Sequence, residues 1–177
     1  MKAFTVYPWY AFAFTSLGKQ CENRTWKPTL AHGEWVAIHA GARKLGGARH
    51  PKLGELLDLV RDAEAAGWES EVTEFGRVRF IETDALEPTC LKTVAVYDDR
   101  HSPRSAIVAV AQFNGATQGI PMPWGHTTGY QWRFTSVMPL ARPVSIRGAQ
   151  GLWRVPPVML RKMVGQVPES VLEGEKL

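Results

Sequence analysis

Residues 18–28, GKQCENRTWKP, pack a lysine, an acid, a base and an indole into one short run. Glu22, Arg24 and Trp26 stand at spacing two, so on an extended backbone their side chains share a face. The run reads as a strand closed by Lys27-Pro28. Two meanings stand side by side for it. One is a surface ion pair beside a core tryptophan, contributing under ~1 kcal/mol. The other is the floor of a site that grips something flat and charged.

Upstream, AFTVYPW is a short strand stopped by Pro8, and WYAFAFTSLGK follows helical spacing with Gly18 placed to end the helix. Downstream, GEWVAIHAG is a second strand. Val36 and Ile38 point one way, and Trp35, Ala37 and His39 the other. A glycine-rich basic loop, residues 41–50, leads into a helix from about Pro51 to Ala66, with Leu53, Leu56, Leu57, Val60 and Ala63 as its apolar stripe and Gly67 ending it. Residues 68–105 are acidic, with weak strand signals near 78–81 and 91–97. SAIVAVAQF reads as a buried strand, GATQGIPMPWGHTTG as a long loop, and YQWRFTSVMPL as a strand. A short helix near 158–164 and a polar tail close the chain. Many short strands with two helices point to an α+β domain built on a small β-barrel of five or six strands with flanking helices. Residues 1–157 form this domain, with 42–105 as an elaboration, and 158–177 are the helix and tail.

The chain has 177 residues, 45% hydrophobic and 21% charged, enough for one domain with a real core. No apolar run approaches the ~20 residues that span a bilayer, and the first twenty residues lack a small-residue cleavage site, so neither a membrane segment nor a signal peptide is expected. Cys21 and Cys90 make neither a CxxC pair nor a disulfide framework, which fits a reducing, cytoplasmic setting. Net charge is +4 but unevenly spread: residues 1–54 carry eight Lys/Arg against two Asp/Glu, residues 55–100 five against twelve, and residues 101–177 eight against three. If both basic ends meet in one sheet, the molecule has a cationic face suited to phosphates. The acidic middle, 55–100, suits a protein partner. Five histidines and two cysteines are scattered without ligand spacing, so no metal is expected. The basic loop lacks the Gly-Lys-Ser/Thr of a Walker loop, and no cofactor is implied.

Taken together, YPWYAFAFTSLGKQCENRTW, GEWVAIHAG, AIVAVAQF and RPVSIRGAQGLWRV resemble an ASCH domain, a branch of the PUA-like superfamily. The family pattern is a Pro-Trp opening a helix, a Gly and a Lys, then Glu-x-Arg-x-Trp on the next strand. A small-residue strand ending in Ile-His-Ala follows, and a Gly-x-x-Gly-Leu-Trp closes it. The matching positions are Pro8-Trp9, Gly18-Lys19, Glu22, Arg24, Trp26, Ile38-His39-Ala40 and Gly148 to Trp153. The resemblance covers both ends of the chain, and 42–104 contribute little to it. It implies a PUA-like barrel with the first helix over one opening, and a nucleic-acid site in the cleft between them, RNA ahead of DNA. It also leaves an enzyme open, because some relatives are ribonucleases or amidohydrolases acting on N4-acetylcytidine. Those amidohydrolases carry Lys-x-x-Thr, whereas here Lys19 is followed by Glu22, which tilts the cleft from chemistry toward holding.

The candidate site residues follow. Lys19, Glu22 and Arg24 would meet a base edge or phosphate, Arg as a bidentate fork and Lys as a point charge. Lys19 and Glu22 would be the acid/base pair of any catalysis. Trp9, Trp26 and Trp124 are the stacking candidates, and Trp124 stands out because PMPWGH is a loop with no evident need for a core anchor. His39 ends a strand beside the basic loop, as a phosphate or acid/base contact or as a structural histidine. Arg43, Lys44 and Arg49 suit backbone phosphates, and Gln150 can donate to and accept from a base edge.

Overall fold

The computed structural model describes residues 1–43, 53–74, 77–82 and 94–175. Among them the elements run β1 (Lys2–Val6), α1 (Pro8–Ser16), β2 (Cys21–Arg24), β3 (Trp35–Ala40), α2 (Leu53–Ala65), β4 (Trp68–Glu74), β5 (Arg77–Glu82), β6 (Val94–Asp98), β7 (Ala106–Thr117), β8 (Tyr130–Ser145), β9 (Leu152–Arg154), α3 (Pro157–Arg161) and α4 (Glu169–Leu172). The structure is mixed α+β. One sheet has six strands in the order β2-β8-β7-β3-β1-β9 and curls into a half-barrel, and a second sheet holds β4-β5-β6. The barrel expected from the sequence is thus a half-barrel with β2 and β9 as its edges. Its curl follows from the long β7–β8 pair, whose register slips at three places; each bulge bends the ladder and adds twist.

The parallel pair β1–β3 sets Thr5 opposite His39. Parallel strands need a crossover, supplied here by α1 and β2. Pro8 starts α1 with the fixed φ that a first helical turn wants. The helix carries no charged residue and buries both of its sides. Ala11 and Phe14 pack into the half-barrel with Phe4, Val36, Ile38, Trp132 and Phe134. Trp9, Ala13 and Leu17 pack the other way, against Leu59 and Ala63 of α2 and Val78, Phe80, Ala95 and Tyr97 of the second sheet. A helix held between two layers has no use for a polar stripe.

Four features depart from the sequence reading. The α2 core contacts are Leu59 and Ala63, whereas Leu57 is half exposed. β4 and β9 had no anticipated counterpart. β8 continues through ARPVS to Ser145. The C-terminal segment is no polar tail, because Val171 and Leu172 are buried with Leu160, Met163, Met1 and Ala37 against the back of the half-barrel. Among the described residues no helix is long and apolar enough to cross a membrane.

Candidate functional site

A cleft of about 880 Å³ opens where β1 and β3 run out of the sheet, a size suited to a small ligand or one nucleotide. β1 contributes Thr5 and Val6, β3 and the residues after it His39, Gly41 and Arg43, and β2 with its following bend Glu22, Asn23, Arg24 and Trp26. Tyr10, Lys19 and His126 form the upper wall, and the segment 147–151 the far rim. Among the described lining residues Lys19, Arg24, Arg43 and Arg147 are cations and Glu22 is the carboxylate. The two basic ends of the sequence therefore do meet here, while the acidic middle builds the second sheet.

Lys19 is placed by the end of α1. The N–H groups of Leu17 and Lys19 both return to the Ala13 carbonyl, at 3.0 and 3.1 Å, and between them Gly18 takes φ +68°, which only glycine adopts without cost. The chain folds back, and the Lys19 side chain is 1% exposed. Its Nζ lies 5.1 Å from the Tyr10 ring centroid, 5.4 Å from Phe14 and 5.4 Å from Trp124. Among the described residues it makes no hydrogen bond or ion pair. Burial pushes the Lys19 ammonium below its ordinary range, opposed by Glu22. The ring faces favour the ammonium by about 0.5–2 kcal/mol each. Full burial outweighs them, so the direction is down. Burial likewise raises Glu22, against the pull of Lys19, Arg24 and His126.

Arg24 bridges two elements. Its Nη2 donates to the Thr5 carbonyl at 2.6 Å, and its Nε lies 3.0 Å from Glu22 Oε1. That Nε is nonetheless without an aligned acceptor, so the contact with Glu22 is a charge contact and not a formed hydrogen bond. β2 ends at Arg24, yet Trp26 in the bend beyond it still lines the cleft, set edge-on against Trp132 with centroids 4.6 Å apart. Asn23 faces the loop 118–129. Its Nδ2 donates to Trp124 O at 2.8 Å, and its Oδ1 accepts from His126 N at 2.8 Å. Buried Gln131 holds the same loop by donating to Ile120 O and His126 O at 2.6 and 2.9 Å.

Tyr7 stacks on Trp9 at 4.6 Å, and Arg43 lies over the Tyr7 ring while donating to its hydroxyl at 2.9 Å. His39 is buried. Its Nε2 must carry the proton, because it donates to Ile146 O at 2.9 Å, and Nδ1 has no partner among the described residues. Burial lowers the His39 pKa, so the ring is neutral at pH 7. A Cβ on Gly148 would stand 2.4 Å from the His39 ring and 2.7 Å from Thr5 Oγ1, which is why this rim position has no side chain. On the upper wall Tyr10 donates to Asp62 Oδ2 at 3.2 Å, and His126 Nε2 lies 3.6 Å from the same oxygen. Burial and Asp62 push the Tyr10 hydroxyl well above its ordinary pKa.

Of the residues singled out from sequence, Lys19, Glu22, Arg24, Trp26, His39, Arg43 and Gln150 line the cleft. Lys44 and Arg49 lie outside the described residues. Two tryptophans need correction. Trp9 is 1% exposed and supports Tyr7 from beneath, so Tyr7 holds the exposed ring position. Trp124 is a core anchor and not a loop ring presented to solvent. It is 5% exposed at φ +64° and packs among Trp9, Leu17, Cys21 and Trp68. Tyr10, Asn23 and Asp62 were missed. The i, i+4 pair Tyr10–Phe14 was a usable signal for the Lys19 wall, but Asp62 was not, because it comes from α2, distant in sequence. No family model matches the chain, and no curated protein matches it in sequence.

Proposed function

We propose that the chain is a nucleic-acid-binding domain of the PUA-like ASCH type, RNA ahead of DNA, holding one single-stranded or extruded nucleotide in this cleft. The observation that carries this reading is the lining itself. Cations from both ends of the chain, Lys19, Arg24, Arg43 and Arg147, converge with the Trp26 and Tyr7 rings on one concavity. Rings of this kind contribute about 1–3 kcal/mol per stacked base, and Arg and Lys supply the phosphate contacts. The hydrolase alternative needs a hydroxyl beside Lys19. Ser16 and Thr25 lie outside the cleft lining, and the position three after Lys19, where those hydrolases carry a threonine, is Glu22. Holding is therefore favoured over hydrolysis of RNA or of a modified nucleoside.

Fluorescence anisotropy with labelled single-stranded RNA and DNA oligomers tests the reading. Affinity should fall log-linearly with salt. Arg147→Ala, at an exposed rim position, should weaken binding without loss of fold, and Arg161→Ala, exposed on α3, should not. No binding at low salt, or equal effects of the two variants, removes it.

A further inference from the structure

We propose that Lys19 is a carbonyl-reactive amine that captures the C1′ aldehyde of an abasic sugar in a nucleic-acid strand as a Schiff base. The inference rests on the nucleic-acid reading of the cleft for its substrate, and on the setting of Lys19 for its chemistry. Among the described lysines Lys27 and Lys162 are exposed, and Lys2 spends its ammonium on Thr29 O and Glu34. Lys19 alone is buried, walled by the rings of Tyr10, Phe14 and Trp124, and it lines the cleft with no hydrogen-bond or ion-pair partner among the described residues. An ammonium that serves only to hold phosphate gains from water and carboxylates around it. An amine meant to attack carbon gains from their removal.

The chemistry needs a proton donor and acceptor within reach of the amine, directly or through one water, and Glu22, three residues on, lines the same cleft. Burial shifts Lys19 toward the amine and Glu22 toward the carboxylic acid, the pair of forms that condensation uses. The Lys19 nitrogen adds its lone pair to C1′, and the carbonyl π pair moves to oxygen, which takes a proton from Glu22. The nitrogen returns a proton to Glu22. A second proton delivery to the hydroxyl expels one water as C=N forms, and Glu22 takes the remaining N–H proton. Amine plus aldehyde gives imine plus water, with no change of oxidation state. In a nucleic-acid strand the ring-opened abasic sugar is the carbonyl that needs no further activation for this step. It also lacks the base that would otherwise occupy the cleft.

The 177-residue chain is incubated with a single-stranded oligonucleotide carrying one abasic deoxyribose, with cyanoborohydride to reduce any imine, and the adduct is mapped by peptide mass spectrometry. A parallel oligonucleotide with a tetrahydrofuran in place of the abasic sugar, which has no aldehyde, reports binding alone by anisotropy. The expected result is a single adduct mapped to Lys19, absent with the tetrahydrofuran strand and lost in Lys19→Arg. Mapping on the unmodified chain keeps the test meaningful even if that variant folds poorly. Binding of the tetrahydrofuran strand with no adduct, or an adduct spread over Lys2, Lys27 and Lys162, overturns the inference while the binding reading stands. Failure of every strand to bind overturns both.

Discussion

The β2 wall and the loop 118–129 each pair a tryptophan with a charged or titratable neighbour, Arg24 with Trp26 and Trp124 with His126. The fold uses them in opposite ways. In the wall the polar groups turn inward to the cleft and Trp26 remains half-buried at its side. In the loop the ring turns away into the core between α1, α2 and the second sheet, and His126 is left outside. The difference lies in what each backbone can satisfy. β2 is an edge strand whose pairing with β8 fixes alternate side chains, whereas the loop has no ladder. It is tied down by Asn23, Gln131 and the burial of one indole, which is enough to hold Trp124 at a positive φ that ordinarily costs about 1–3 kcal/mol. An aromatic in a loop can be the peg that fastens the loop, and an acid–base pair on a short edge strand can line a cleft.

The sharpest way to break this contrast is to exchange the fates of the two tryptophans. Trp124→Ala removes a fully enclosed ring and should cost about 3–5 kcal/mol of stability, read from denaturant unfolding. Trp26→Ala should cost clearly less and act on ligand affinity. Similar stability losses would mean that both rings are core. Next in size is Arg24→Ala. Losing charge-assisted contacts of about 1.5–3 kcal/mol predicts a roughly ten- to hundredfold loss of oligonucleotide affinity, since about 1.4 kcal/mol is tenfold. Arg161→Ala is the reference that should show none.

Legibility from the sequence follows the same division. Elements with a clean period were plain: β3 with its alternating Val36 and Ile38, the continuous apolar β7, and the Pro8 start and Gly18 stop of α1. Glu22 and Arg24 were legible as a common wall because spacing two on a strand is a geometric fact, whereas Trp26 reaches the same wall from the bend beyond β2. β4 was not legible, since Glu69, Glu71 and Glu74 cover whatever strand signal Trp68 and Val72 give, and only the pairing with β5 reveals it. The Trp9 and Trp124 roles depended on which layer covers α1, and the residues that build that layer, α2 and the second sheet, are distant in sequence. The same holds for Asp62.

A smaller effect probes the tether between the two regions. Asn23→Ala leaves the Trp124 carbonyl and the His126 N–H without their partners, and each such loss costs about 1–3 kcal/mol where the group stays buried. The Trp124 end, the more buried of the two, should dominate. Hydrogen exchange should rise across 118–129 while β2 and β8 keep their protection. If exchange is unchanged, Gln131 alone holds the loop, and β2 is independent of it.

The smallest effect is a pH dependence at the cleft floor, and its sign is fixed by His39. Burial holds the folded-state pKa of this ring below the ordinary histidine value of 6.5. Between the two values the unfolded chain therefore binds more protons than the folded one. Stability then rises with pH across that window, and is lost as pH falls from about 6.5 toward the folded pKa, with a slope of at most about 1.4 kcal/mol per pH unit. Acid charges Nδ1, which has no partner among the described residues and lies close to Gly148, so the cation gains no compensating contact there. His39→Gln removes this titration and should flatten the stability profile just below pH 6.5, even if its overall stability is lower. An equally steep profile in the variant would move the dependence to another group and leave His39 without a role in it.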